Sequence, residues 1–174
     1  MKKIYNNGLV VGRFEPIHLG HQKLIDKALE IADKTLIMVT TSKTDKIDID
    51  KRINLIKMIY SNEIASGCLR VVKFNNPSHF DLSYGTYIFN EYYNATKTYP
   101  NVIIYGNDKD ISKCFNDELI SRLDTVVIKR DGNSSTLIRT LLKENKELQV
   151  KRLISKKIES KVNKAILLKG DSDG

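Results

Sequence analysis

Two imidazoles, a guanidinium and two glycines fall close together in Gly12-Arg13-Phe14-Glu15-Pro16-Ile17-His18-Leu19-Gly20-His21. An apolar run, Leu9-Val10-Val11, leads into this stretch, and an amphipathic segment follows it. His18 and His21 flank Gly20 where a helix would begin. A helix N-terminus presents N–H groups without intrahelical partners and the positive end of the helix dipole, so it attracts phosphate. Imidazole N–H groups at that end add donors for phosphate oxygens, and Gly20, without a Cβ, lets a ligand approach the backbone. Strand, short loop, H-x-G-H and helix together read as a cradle for a triphosphate. The plainer alternative, histidines that only cap a helix, accounts for a lone H-x-G-H. It does not account for Arg13 and Pro16 in register with both histidines straight after a strand.

A second group lies far along the chain, in Gly132-Asn133-Ser134-Ser135-Thr136-Leu137-Ile138-Arg139. Gly132 and Asn133 are turn formers, and Ser134, Ser135 and Thr136 are helix-capping types. Leu137, Ile138, Leu141 and Leu142 form the buried stripe of the helix that follows. Arg139 falls one turn inside that helix, at the end with unpaired N–H groups. Hydroxyls, amides and a guanidinium thus converge where an anion could sit. Ordinary capping explains the hydroxyls equally well, but it does not require Arg139.

The elements that must position these groups alternate. Leu9–Val11, Thr35–Thr40, Leu69–Phe74, Val102–Tyr105 and Thr125–Ile128 read as five buried strands. Between them run helical patterns: Leu24, Ile25, Ala28, Leu29 and Ala32 on one face, then Ile53, Ile56, Ile59 and Tyr60, then a tyrosine-rich segment from Tyr84 to Thr96. Strand and helix in alternation argue for an α/β fold, a five-stranded parallel sheet covered on both faces. Ligands of such sheets bind at the carboxyl ends of the strands, near a topological switch point. The H-x-G-H loop follows the first strand and falls on that edge.

The sequence has 174 residues, a size that suggests one domain with a core over about 8–142 and a helical segment over about 143–169. No apolar run approaches the ~20 residues of a membrane span. Cys68 and Cys114 have neither zinc-ligand nor disulfide spacing, so cytoplasmic residence with reduced thiols is expected. A net charge of +8 suits anionic small substrates and nucleic acid alike. Basic residues crowd the last quarter, at Lys143, Lys146, Lys151, Arg152, Lys156, Lys157, Lys161, Lys164 and Lys169. Val150, Leu153, Ile154, Ile158, Val162, Ala165 and Ile166 share that segment at helical spacing. The expectation is an amphipathic helix with a solvated basic face, not a nucleic-acid site.

The first stretch resembles the signature of the H-x-G-H nucleotidyltransferase superfamily. Its form, G-R-F-x-P-x-H-x-G-H, is most similar to the archaeal-type nicotinamide-nucleotide adenylyltransferases. The second group resembles the family's S-x-T-x-x-R loop and helix start, matching at Ser134, Thr136 and Arg139, with Lys129-Arg130-Asp131 before it. Tyr105-Gly106-Asn107-Asp108 is similar to the family's G-N-P segment, with Asp108 in place of proline. Lys51-Arg52-Ile53 looks like an E-R-I helix start with Lys51 in place of the acid. Arg52 either approaches phosphate or covers the sheet with its stem. Lys43 and Lys46 are candidates for a phosphate contact after the second strand.

The resemblance implies a Rossmann-like fold and transfer of AMP from ATP to nicotinamide mononucleotide, giving NAD and pyrophosphate. Phosphopantetheine, or glycerol phosphate with CTP, is the nearest alternative acceptor, and a nucleotide-binding regulator using the basic C-terminal segment is a different one. By resemblance His18, His21, Arg13 and Arg139 are catalytic. ATP would meet Gly12, Arg13, Phe14, His18, Gly20, His21, Gly106, Asn107, Ser134, Ser135, Thr136 and Arg139. Magnesium would come bound to ATP phosphates, since no carboxylate cluster suggests a protein-held metal. The family's acceptor-stacking tryptophan is missing, because the chain has no Trp. Phe80, Tyr84 and Tyr87 are the candidates to stack in its place, with His79 read as a surface residue beside a turn. The resemblance also leaves a homo-oligomer open.

Overall fold

A computed structural model describes residues 3–77, 81–107, 113–129, 132 and 134–168. His79, Phe80, Asp108, Arg130, Asp131, Asn133 and Lys169, singled out above, lie outside the described residues.

The strands are β1 (Tyr5–Gly12), β2 (Ala32–Thr41), β3 (Leu69–Asn75), β4 (Val102–Gly106) and β5 (Asp124–Ile128). Each is the expected strand extended by one to five residues in all. The helices are α1 (Leu19–Ile31), α2 (Ile49–Ile59), α3 (Ser61–Ser66), α4 (Ser83–Thr96), α5 (Asp117–Ser121), α6 (Ser135–Lys143), α7 (Glu147–Lys151) and α8 (Lys164–Leu167). The strands form one parallel sheet in the order β3-β2-β1-β4-β5.

Alternate strand residues feed two cores, because successive side chains on a strand point to opposite faces. Val10, Ile37, Val39, Val102 and Ile104 meet Ile25 and Ala28 of α1, Ile53 and Ile56 of α2, and Ile138 and Leu142 of α6. Leu9, Leu36, Met38 and Ile103 meet Tyr84, Ile88, Phe89 and Tyr92 of α4 on the other face. The strands are therefore apolar on both sides, as a sheet sandwiched between helices requires.

The chain order reverses between β1 and β4. Their registered pairs are Gly8–Val102 and Leu9–Ile103, short of the strand ends at Gly12 and Gly106. A crevice opens there, at the carboxyl edge, between the loops that leave β1 and β4.

The C-terminal segment departs from the expected single amphipathic helix. It is broken into α7, a 3₁₀ turn at Lys156–Lys161, and α8. Ser155 and Asn163 interrupt it: each accepts a backbone N–H with its side chain, from Lys157 and Ile166 respectively. Such residues offer the backbone a partner outside the helical ladder. Val150, Ile154, Ile158 and Val162 are still buried on the first core, while Ile166 is 42% exposed and Leu167 takes its place inside. The expected basic face is exposed, from Lys143 through Lys164. The segment is tied to the rest by a Leu19 N–H to Leu153 carbonyl bond of 2.9 Å and a bridge between Ile47 and Leu168. No helix among the described residues is long and apolar enough to cross a membrane.

Candidate active site

The loop from β1 to α1 is held by its own side chains. His18 is the N-cap of α1 in extended backbone. Its Nδ1 accepts the Gly20 N–H at 3.0 Å, and the His18 N–H donates to His21 Nδ1 at 3.2 Å. This is a reciprocal capping box with imidazoles in the usual Ser and Glu places. It turns the Nδ1 atom of each ring toward the helix end. A neutral imidazole that accepts at Nδ1 carries its proton on Nε2, so both rings present an N–H on the side away from the helix end. The two rings lie 3.8 Å apart, and Phe14 packs against His21 at 4.8 Å. Phe14 has φ of 49°, a left-handed backbone unusual for a bulky residue. Its ring passes 3.1 Å from where a Cβ on Gly12 would stand, so a side chain there would press on the ring and push it by a few tenths of an ångström. At 1% exposure Phe14 braces His21.

Beneath this loop sits Glu15, 2% exposed, with three arginines around it. Its Oε1 lies 3.5 Å from Arg139 Nη1 and 3.8 Å from Arg13 Nη2; its Oε2 lies 3.9 Å from Arg52 Nε and accepts the Lys46 N–H at 3.2 Å. Arg52 is fully buried. It donates to the carbonyls of Ile47, Arg13 and Thr40 and to Asp45 Oδ2, the last at 2.6 Å. Neither sequence-based expectation for Arg52 holds: it neither faces the crevice nor merely covers the sheet, but pins the loops after β1 and β2 together. Asp45 also accepts from Arg13 at 3.1 Å and from the Ser42 N–H at 3.1 Å. Burial pushes the Asp45 carboxyl up, yet the Ser42 N–H, the Arg52 charge and the Arg13 bond outweigh it and hold the group below its ordinary value. Lys43 and Lys46 are exposed, and neither lines the crevice.

The second motif arrives from the other side. Ser134 caps α6 by accepting the Leu137 N–H at 3.0 Å. Ser135 Oγ donates to the Pro16 carbonyl at 3.0 Å, and Arg139 donates to the Glu15 carbonyl at 2.6 Å and to Thr136 Oγ1 at 3.3 Å. Residues 134–139 are thereby fastened to the first loop.

The two loops enclose a cleft of about 270 Å³ at the carboxyl edge of β1, β4 and β5. Gly12, Arg13, Phe14, His18, Gly20, His21, Gly106, Ser134, Ser135, Thr136 and Arg139 all line it, so eleven of the twelve residues assigned to ATP by resemblance come together. Asn107 is not in the lining; its N–H donates to the Ile128 carbonyl at 3.2 Å. Glu15, Lys23, Leu24, Tyr105, Ile128 and Lys129 line the cleft as well. Lys23 and Leu24 were legible in principle, since they stand three and four residues after Gly20 on the same helix face. Glu15 carries no comparable signal, because its arginine partners come from distant segments. Among the described residues no three His, Cys, Asp or Glu side chains cluster as metal ligands.

Of the aromatic residues expected to stack on an acceptor, Tyr84 and Tyr87 do not line this cleft, and Phe80 lies outside the described residues. Tyr84 is 8% exposed, packs edge-on to Phe74 at 5.8 Å and donates to Asn76 Oδ1 at 3.1 Å. Burial pushes its hydroxyl up to about 12. The position is that of a core residue at the start of α4, where the amphipathic stripe draws its ring onto the sheet. Tyr87 is 52% exposed and does not line the cleft.

Residues 9–154 match the cytidylyltransferase-like family. The chain belongs to that family, the H-x-G-H nucleotidyltransferases. A phosphopantetheine adenylyltransferase from Fusobacterium nucleatum is 40% identical over 55 residues, 30% of this chain and 34% of that protein. The match thus spans about a third of that curated relative. Among solved structures of the fold, a bifunctional NMN adenylyltransferase/ADP ribose pyrophosphatase from Francisella tularensis, complexed with AMP and a manganese ion, has a TM-score of 0.61 at 18% identity, over 88% of this chain and 44% of that one. A nicotinic acid mononucleotide adenylyltransferase from Plasmodium falciparum has a TM-score of 0.56 at 16% identity, over 89% of this chain and 95% of its own. At these identities the two structures are alike in fold. The family expected from the two motifs is the one found; the narrower archaeal nicotinamide-nucleotide subtype is not the one named by the curated relative.

Proposed function

We propose that this chain transfers the adenylyl group of ATP to the phosphate of a small acceptor, nicotinamide mononucleotide, giving NAD and pyrophosphate. The observation that carries the reading is the meeting of two motifs in one cleft at the sheet's switch point. His18, His21, the N-terminus of α1, Arg139 and the hydroxyl residues at the start of α6 line a single volume.

The acceptor phosphate is already anionic near neutral pH. Its oxygen forms the new bond to the α-phosphorus as the bond to the bridging oxygen of pyrophosphate breaks, so no protein nucleophile is needed. Catalysis then rests on alignment and on stabilising charge as it shifts to the leaving group. His18 and His21 donate from Nε2 to triphosphate oxygens. Arg13, Arg139, Lys23 and Lys129 supply positive charge around them. Magnesium would arrive with the nucleotide substrate and would supply further positive charge to its phosphates.

The G-R-F-x-P wording with Arg13, and Gly106 at the end of β4, support the nicotinamide acceptor. A second reading, 4′-phosphopantetheine, is supported by the Fusobacterium nucleatum relative and by the burial of Tyr84. The deciding experiment incubates the purified chain with ATP or CTP and magnesium against nicotinamide mononucleotide, 4′-phosphopantetheine and glycerol phosphate. Pyrophosphate release is followed and products are weighed by mass spectrometry. NAD is the expected product. Dephospho-coenzyme A alone would select the second reading, and no pyrophosphate from any pair would overturn both.

Arg139→Lys is expected to fold normally and to lower kcat/KM for ATP by about tenfold, the scale of one charged hydrogen bond. An ammonium cannot bond the Glu15 carbonyl and Thr136 while also offering a planar fork to phosphate. Steady-state kinetics with ATP varied check this, and full activity in the lysine variant would refute bidentate recognition.

A further inference from the structure

We propose that Glu15 is a positioning residue whose negative charge, rather than its hydrogen bonding, holds the arginines of the two motifs together at the cleft. The proposal rests on the cleft being a nucleotide-phosphate site.

Three guanidinium groups lie within 4.0 Å of this one buried carboxylate, at 3.5, 3.8 and 3.9 Å. None of these is a hydrogen bond. The guanidinium N–H groups go elsewhere: Arg52 to three carbonyls and Asp45, Arg139 to the Glu15 carbonyl and Thr136, Arg13 to Ser42 and Asp45. The only hydrogen bond the carboxylate accepts among those described comes from the Lys46 N–H. Glu15 therefore acts on the arginines as a shared counter-ion. Like charges so close repel strongly in a poorly solvated place. Asp45 also neutralises Arg13 and Arg52, at 3.1 and 2.6 Å, but it does not pair with Arg139; with Arg52 locked in the interior, the repulsion added by losing Glu15 falls on Arg13 and above all on Arg139, whose side chains are 47% and 21% exposed and can swing outward. Those two come from motifs that the fold must hold together if one triphosphate is to meet both. Glu15 also sets a balance. It lowers the cleft's positive potential, weakening attraction for a resting polyphosphate while fixing the geometry that the reacting one needs.

Glu15→Gln isolates the charge, because glutamine keeps the shape and an oxygen for the Lys46 N–H. Inorganic tripolyphosphate titrated calorimetrically at low and high salt reads the cleft without needing an acceptor. E15Q is expected to bind tripolyphosphate about threefold more tightly than wild type at low salt and to lose affinity more steeply as salt rises, since screened attraction is a larger part of its binding. Its turnover at saturating ATP is expected to fall at least tenfold while the KM for ATP stays level or drops. A merely structural role would instead lower the melting temperature and weaken binding and turnover together. Glu15→Asp keeps the charge on a shorter arm and carries the test if E15Q does not fold. It should retain the wild-type salt dependence and at least a third of the turnover. Unchanged binding, salt dependence and turnover in E15Q would overturn the proposal, as would a tenfold loss of turnover in a folded E15D. If wild type itself binds no tripolyphosphate, the reading of the cleft fails first, whatever Glu15 does.

Discussion

His21→Gln is expected to fold like the wild-type chain and to release pyrophosphate about 10²–10³-fold more slowly, the scale for losing one transition-state donor. Glutamine is the informative replacement because His21 has two tasks. Its Nδ1 accepts the His18 N–H and closes the capping box of α1. Its Nε2 is the ring nitrogen away from that bond, and His21 lines the cleft. Glutamine at the same helix position is itself a favoured capping-box residue, so the first task survives. The second does not, since no ring N–H remains on the far side.

His21→Ala supplies the control. It removes both tasks, so it should lose about 1 kcal/mol of stability with the cap as well as the turnover lost by His21→Gln. Thermal melts alongside rapid-quench measurement of pyrophosphate separate the two effects. A folded His21→Gln protein that turns over within threefold of wild type would leave His21 as a cap and nothing more.

Much of this arrangement is legible in the sequence alone. Strand and helix alternation placed the five strands because short apolar runs such as Leu36–Val39 and Val102–Ile104 are apolar on both faces, and only a sheet covered twice needs that. The two phosphate motifs could be read because each is local: a cap, a turn and a charged group within one helical turn. What could not be read is what depends on distant partners. Arg52 looks like any surface arginine at a helix start, yet carbonyls from the two loops and from β2, and a carboxylate, surround it. Glu15 is hidden for the same reason. Tyr84 follows from periodicity as an aromatic at a helix start, but whether its ring faces a ligand or Phe74 is settled by how α4 lies on the sheet. The C-terminal segment shows the opposite failure. Its apolar residues recur every four positions, which suits a helix, but Ser155 and Asn163 cap backbone N–H groups and break it.

The largest effect on stability is expected from Arg52→Met, which should lower the unfolding free energy by about 3–5 kcal/mol, the cost of removing one partner of a buried ion pair. The melting temperature should fall on the order of 10 °C for a chain this size. Methionine fills much of the arginine's volume, so the loss is one of charge and hydrogen bonds and not of packing. It leaves the carbonyls of Ile47, Arg13 and Thr40 without their donor and Asp45 without its 2.6 Å partner. Arg52→Lys should recover only part, because one ammonium cannot reach carbonyls on both loops and Asp45 at once. The pH dependence gives an independent check. The Asp45 carboxyl is held below its ordinary value of 3.8 in the folded chain. The stability this contributes is full above that ordinary value and is lost as the pH falls through the lower folded value. Arg52 is one of the causes of the shift, so the deficit of Arg52→Met should narrow in strong acid and stand at its full size at neutral pH. Urea unfolding of both proteins at pH 7 and near pH 3 measures it. A variant within 1 kcal/mol of wild type at pH 7 would show that Arg52 does not pin the two loops.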